Sequence, residues 1–126
     1  MTQEDKDLVL KDLCARLPYG VWAEAKLITS ASSTSWLVDA LLIHSFKRER
    51  FDIYKPYLFP LSSMTEEQER ELEKLDPEFY TVINNDGSIE CTMNNKTFDW
   101  FHKNHFDWRG LIPMGLANDA TGLNIY

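Results

Sequence analysis

The sequence predicts one α+β domain over residues 1–126: a small twisted antiparallel β-sheet, curved toward a partial barrel, with an N-terminal helix and two further short helices. Three observations carry this. The chain opens on a capped run of helical period, its middle switches to strand-like alternation, and 126 residues suffice for one core but not for two with a linker. Hydrophobic residues at 44% and charged residues at 26% are those of a folded domain, so disordered, collagen-like and coiled-coil readings are set aside.

Thr2 with Asp5 has the form of a capping box, and Glu4 and Asp5 put negative charge at the positive end of a helix. Leu10, Leu13, Cys14 and Leu17 follow at i, i+3, i+4, i+7, and Pro18 with Gly20 stops the run, so a helix is expected over about 3–16. From Val21 the period becomes two: Val21, Ala23, Ala25 and Leu27 alternate with Trp22, Glu24, Lys26 and Ile28, which predicts a half-buried strand. Residues 29–35 are small and polar and read as a loop. Residues 36–43 suit a buried strand by length and a helix by their Ala and Leu content; the hairpin-like setting decides for a strand. Lys47 to Arg50 reads as a polar turn, Phe51 and Ile53 as a short third strand, and Pro56 and Pro60 keep the following segment extended.

Thr65 with Gln68 forms a second capping box and predicts a helix over about 65–75. Leu72 and Leu75 are its apolar positions, so it should lie on the surface with one edge docked. Asp86-Gly87 predicts a two-residue hairpin turn, with Val82 opposite Cys91, Tyr80 opposite Met93 and Asn84 opposite Ile89. Thr97 is the expected N-cap of a short helix over 98–104 that puts Phe98, Phe101 and His105 on one side. The tail after Gly110 mixes apolar residues with breakers and should pack as irregular coil.

Function is bounded mainly by exclusion. A formal charge of −7 repels phosphate backbones, so general nucleic-acid binding is disfavoured. The acidic start lacks the basic and apolar regions of a secretory signal, and no apolar run approaches the roughly 20 residues needed to span a bilayer; a cytoplasmic chain that meets no membrane is the expectation. Cys14 and Cys91 each sit inside an apolar pattern and read as buried, reduced thiols. His102 and His105, with Asp99 and Asp107, are weak metal candidates, because no second ligand cluster accompanies them; no metal or cofactor is expected. His44, His102 and His105 come with no nucleophile signature, and the five glycines form no phosphate loop, so a non-enzymatic protein is expected.

Two constellations remain. Lys47, Arg48 and Arg50 form a basic cluster near Tyr54, with Trp100, Trp108 and Arg109 further along; cations for phosphate and rings for a base are the ingredients of a nucleotide pocket. Between Glu66 and Glu78, seven acids face two bases, which is either a solvated helix face or an acidic recognition surface.

Residues Val9-Leu-Lys-Asp-Leu-Cys-Ala-Arg-Leu-Pro-Tyr-Gly-Val21 resemble a block found in short uncharacterised proteins of Bacteroidetes phages, prophages and mobile elements. Lys55-Pro-Tyr-Leu-Phe-Pro-Leu-Ser-Ser-Met-Thr-Glu-Glu67 and Phe98-Asp-Trp through Asn104-His-Phe-Asp-Trp-Arg-Gly-Leu-Ile112 resemble that group's other signature blocks, as do Gly115-Leu-Ala and Ala120-Thr-Gly-Leu. These blocks cover about two-fifths of the chain. The resemblance implies a bacterial host cell and an accessory role exercised by binding. One expectation is counter-defence by sequestering a small anionic nucleotide-type signal. The alternative is an acidic surface that binds and inhibits a host protein. A small hydrolase using the His102 and His105 region is the third. A homo-oligomer fits either binding role.

Overall fold

The computed structural model describes residues 2–27, 29, 32, 34–47, 51–85 and 89–126. Helix α1 spans Gln3–Arg16 and starts as its sequence demands: Thr2 Oγ1 accepts from the Asp5 amide at 3.1 Å, and the Asp5 carboxylate accepts from the Thr2 amide at 3.1 Å. Its buried face is Val9, Asp12, Leu13 and Arg16. That is the expected period but a rotated stripe. Cys14, expected inside, is exposed, because the inner face includes a buried ion pair that a hydrophobicity pattern reads as polar.

Strand β1 (Trp22–Leu27) is central to the sheet. Ala23 and Ala25, with Val21 just before the strand, are fully buried, as the alternation requires. Strand β2 (Thr34–Leu37) pairs antiparallel with β1, Ala23 facing Trp36. The strand expected over 36–43 is cut short after Leu37, and helix α2 (Ala40–Lys47) takes up the rest. Asp39 is the physical reason. Its Oδ1 accepts from the Leu42 amide at 2.8 Å and its carbonyl from the Ile43 amide at 3.1 Å, so an N-cap inside the apolar run starts a helix.

Strand β3 (Phe51–Leu58) pairs antiparallel with the other edge of β1. Glu24 faces Lys55 while Ala25 faces Ile53, so Tyr54 is the extra residue of a bulge. The bulge sits two residues before buried Pro56, which has no amide to give to a ladder. The tail expected as coil adds strand β6 (Asn118–Asp119), parallel to β3. The order β2-β1-β3-β6 is therefore an open, mixed sheet, and the α+β class stands with four α-helices among the described residues. Val9, Leu13, Val21, Ala23, Ala25, Val38, Leu42, Ile43, Leu58, Leu111, Leu116 and Ala117 form an aliphatic core between this sheet and α1.

A second, aromatic cluster lies beyond β3. Helix α3 (Glu66–Leu75) is capped by the expected Thr65 and Gln68 box and docks through Leu72 alone among its buried residues. Strands β4 (Tyr80–Ile83) and β5 (Ile89–Thr92) form a separate two-stranded hairpin. Its register is one residue off the expectation: Val82 faces Glu90, Tyr80 faces Thr92 and Ile83 faces Ile89. The expected Asp86-Gly87 turn lies outside the described residues. Helix α4 (Asn95–Lys103) begins at Asn94, whose Oδ1 accepts from the Thr97 amide at 2.9 Å. Thr97 is thus inside the first turn rather than at the cap, and its hydroxyl donates to Asp76 Oδ2 at 3.1 Å. Phe101 and Phe106 join Leu72 to close this cluster. His105 lies past the helix at φ 62, off the face expected for it.

No helix among the described residues is long and apolar enough to cross a membrane.

Candidate functional site

The residues singled out by sequence fall in separate places. Lys47 is the last residue of α2, Arg48 and Arg50 lie outside the described residues, and Tyr54 is the bulge residue of β3. Trp100 sits on α4, where its indole stacks on Phe106 with centroids 5.7 Å apart and Nε1 donates to Glu71 of α3 at 3.3 Å. Trp108 and Arg109 follow α4 and belong to a different assembly.

That assembly grows from α1. Asp12 and Arg16 stand at i, i+4 and are both fully buried; Arg16 Nε donates to Asp12 Oδ2 at 2.8 Å and Nη2 to the Phe106 carbonyl at 2.7 Å. Arg109 Nε completes the group on Asp12 Oδ1 at 3.0 Å. The Arg109 guanidinium also lies 4.1 Å over the Trp108 ring, and Trp108 Nε1 donates to His102 Nε2 at 2.9 Å. Phe98 packs edge-on against Trp108 at 4.9 Å. Arg109 and Trp108, read as cation and ring for a ligand, are thus engaged with Asp12, His102 and Phe98.

Burial, then the charge of Arg16, lowers His102 to a pKa of about 4; the same two causes lower His105 to about 4. Both imidazoles are neutral at pH 7, which suits His102 as acceptor from the indole. His105 stacks on Tyr126 at 3.5 Å. The Tyr126 hydroxyl accepts from the Trp22 amide at 2.9 Å and donates to the Tyr57 carbonyl at 2.7 Å, bridging the ends of β1 and β3, and burial pushes its pKa up to about 12. Asp107 accepts from the Leu111 and Ile112 amides, both at 2.8 Å; its pKa is raised by burial, against the pull of those two bonds. Among the described residues no three His, Cys, Asp or Glu side chains converge as metal ligands. The network joins α1 to the segment after α4 and pairs its charges within itself, while Arg16 Nη1 is buried without a hydrogen-bond partner among the described residues.

The opposite arrangement occurs on α3 and the hairpin. Glu66, Glu67, Glu69, Glu71 and Glu73 are exposed on α3, and Glu78 follows it. Among the described residues, the ion pairs within 4.0 Å are those of Asp12 with Arg16 and Arg109, so these six glutamates have no salt-bridge partner. Glu66, Glu67 and Glu69 occupy the first turn, where the helix dipole favours them. Glu71 and Glu73 lie beyond it, and the pairs Glu67–Glu71 and Glu69–Glu73 repel at i, i+4. Glu71 accepts from Trp100, while Glu73 has no partner among the described residues that would offset this repulsion.

The hairpin that follows α3 exposes apolar side chains: Tyr80 is 56% exposed and Val82 44%, two residues that pattern reading placed on one sheet face, and Ile83, which alternation puts on the other face, is 74% exposed. Its base is held firmly. Asp76 Oδ2 accepts from the Asn94 amide at 3.0 Å and from Thr97, joining both ends of the hairpin to the start of α4, and Phe79 packs on Phe101 at 5.4 Å. Between helix and hairpin lies a cleft of about 190 Å³ lined by Glu69, Leu72, Glu73, Asp76, Pro77 and Phe79. A second cleft of about 200 Å³, between Phe59, Ser63, Gln68, Asn104, Phe106, Thr121 and Gly122, carries no charged group. The acidic run was readable in sequence; the hairpin's part in the same surface was not, since its exposure depends on the register and on what covers it. No protein-family model, curated protein or solved structure matches the chain.

Proposed function

We propose that this chain is a non-enzymatic binding protein whose working surface is the outer face of α3 together with the β4–β5 hairpin, and that it binds a basic patch on another protein. The observation that carries this reading is a stretch of surface: six exposed glutamates without an ion-pair partner among the described residues lie on α3 and just after it, and the anchored hairpin that follows in the chain leaves Tyr80, Val82 and Ile83 exposed. Unpaired carboxylates steer a cationic partner and set its orientation, while exposed Tyr, Val and Ile supply area whose burial drives association. Fitted to the resemblance to phage and mobile-element proteins, the partner is a host protein that this chain occupies and inhibits.

The test is affinity capture from a bacterial host lysate with three proteins: the wild type, a variant with Glu66, Glu67, Glu71 and Glu78 changed to Gln, and Val82→Ser/Ile83→Ser. The reading requires the same captured protein to be lost in both variants while circular dichroism stays that of the wild type. Capture that survives both changes would overturn it. A thermal-shift screen against nucleotides runs beside it, because a ligand at 100 times its Kd adds about 2.7 kcal/mol. A rise with one nucleotide class that is indifferent to the α3 glutamates would move the function to sequestration.

A further inference from the structure

We infer that one internal water molecule joins the Asp12 network to the clamp at Tyr126, accepting a hydrogen bond from Arg16 Nη1 and donating one to His105 Nδ1. Among the described residues, these are the two side-chain atoms that are buried without a hydrogen-bond partner. They share a neighbourhood. Arg16 Nη2 donates to the carbonyl of Phe106, the residue after His105, at 2.7 Å, and the charge of Arg16 is felt at His105. The site has no residue in common with α3 or the hairpin.

Neither group is free to turn toward another partner. Arg16 Nε is bound to Asp12 Oδ2 at 2.8 Å, and Nη2 to Asp12 Oδ1 at 3.3 Å and to Phe106, so the rigid guanidinium has committed three of its five N–H groups and the direction of Nη1 is fixed. The whole side chain is buried away from bulk solvent. His105 is held as closely: its amide donates to the His102 carbonyl at 3.2 Å, its carbonyl accepts from the Phe59 amide at 2.8 Å, and its ring stacks on Tyr126. Leaving either atom without a bond is costly, and a water between them satisfies both.

Charge and protonation choose water over an ion. Asp12 and Asp107 offset Arg16 and Arg109, and Asp107 lies in the field of both Asp12 and Arg16, so the interior is already balanced and Nη1 asks for an uncharged acceptor. A neutral imidazole accepts at the nitrogen that carries no proton. The bridging group must therefore accept on the Arg16 side and donate on the His105 side, which water does. The two histidines then hold opposite tautomers. His102 accepts from Trp108 at Nε2 and keeps its proton on Nδ1, whereas His105 accepts at Nδ1 and keeps its proton on Nε2. Through this water the ion pair of α1 reaches the ring stacked on Tyr126, whose hydroxyl ties β1 to β3.

The test uses the full chain at neutral pH, isotopically labelled at the histidine nitrogens, and reads by NMR which ring nitrogen of each imidazole carries the proton. The expected result is Nδ1–H for His102 and Nε2–H for His105. Relaxation dispersion of the water oxygen then counts molecules held inside the protein, in the wild type and in His105→Phe, which keeps a ring for Tyr126 and removes the acceptor. The variant should hold one long-lived water fewer. A proton on His105 Nδ1, or an unchanged count in the folded variant, overturns the bridge. His105 ring signals that shift saturably with sodium bromide place an anion at Arg16 and overturn it equally. If His105→Phe does not fold, the wild-type tautomer and the bromide titration decide between these outcomes.

Discussion

Two charged regions of this molecule use the same residue types to opposite ends. Around Asp12, each formal charge has a partner: Asp12 accepts from Arg16 and Arg109, and Arg109 also lies over Trp108. On α3, five glutamates, and Glu78 just after it, are exposed with no ion-pair partner within 4.0 Å among the described residues. The first region is a structural joint between α1 and the segment after α4. The second leaves its charges available to another molecule. What separates a joint from a candidate site is therefore not the presence of arginines, acids and rings but whether their charges are paired inside the fold.

The comparison breaks most visibly at Asp12. Asp12→Asn leaves the buried Arg16 and the mostly buried Arg109 without a carboxylate, and removing one partner of a buried pair costs about 3–5 kcal/mol. Urea unfolding should show that loss as a lower midpoint at unchanged slope. A loss below about 1 kcal/mol would mean that the network is looser than its distances and does not join the two segments.

Acid sharpens the same contrast from within the joint. His102 and His105 have folded pKa values near 4 against an ordinary value of 6.5. Between those values the unfolded chain holds more protons than the folded one, so stability falls as pH drops from about 6.5 toward 4, and below 4 these two groups add no further slope. Asp107, raised by burial, acts in the opposite sense: its folded form takes up a proton first as pH falls. The measurement is the thermal midpoint across this range for the wild type and for His102→Gln/His105→Asn, Asn being chosen because it tolerates the positive φ at position 105. The variant should lose much of the acid sensitivity; an identical pH profile would place both imidazoles in solvent.

How much of this was legible in sequence follows from how local each determinant is. Thr2 with Asp5 and Thr65 with Gln68 fixed the starts of α1 and α3, because a capping box lies within four residues. Asp39 was missed as a cap because one acid inside Trp36 to Ile43 carries no periodic signal, and Asn94 lost to Thr97 because both residues cap well in isolation. The inner face of α1 was read one position off. Asp12 and Arg16 look polar to any hydropathy pattern, although their i, i+4 spacing is itself the sign of a pair. The candidate site divides the same way. Residues 66–78 announce their acidity locally, whereas Asp12 lies 97 positions from Arg109, too far for spacing to reveal that the cation is already held.

The smallest expected effect on stability is the most informative about α3. Glu69 and Glu73 are like charges at i, i+4 on an exposed helix, a placement that costs a few tenths of a kcal/mol, and Glu69 gains a similar amount from the dipole in the first turn. Glu73 has no such gain. Glu73→Gln should therefore raise stability by about 0.2–0.5 kcal/mol, while Glu69→Gln leaves it nearly unchanged. Both should weaken capture of the protein partner. A residue whose removal helps folding and harms binding is held for the binding, so chemical unfolding and partner capture on the same two variants must move in opposite directions at Glu73. If Glu73→Gln instead destabilises the protein, its carboxylate is serving the fold, and α3 belongs with Asp12 on the structural side of the comparison.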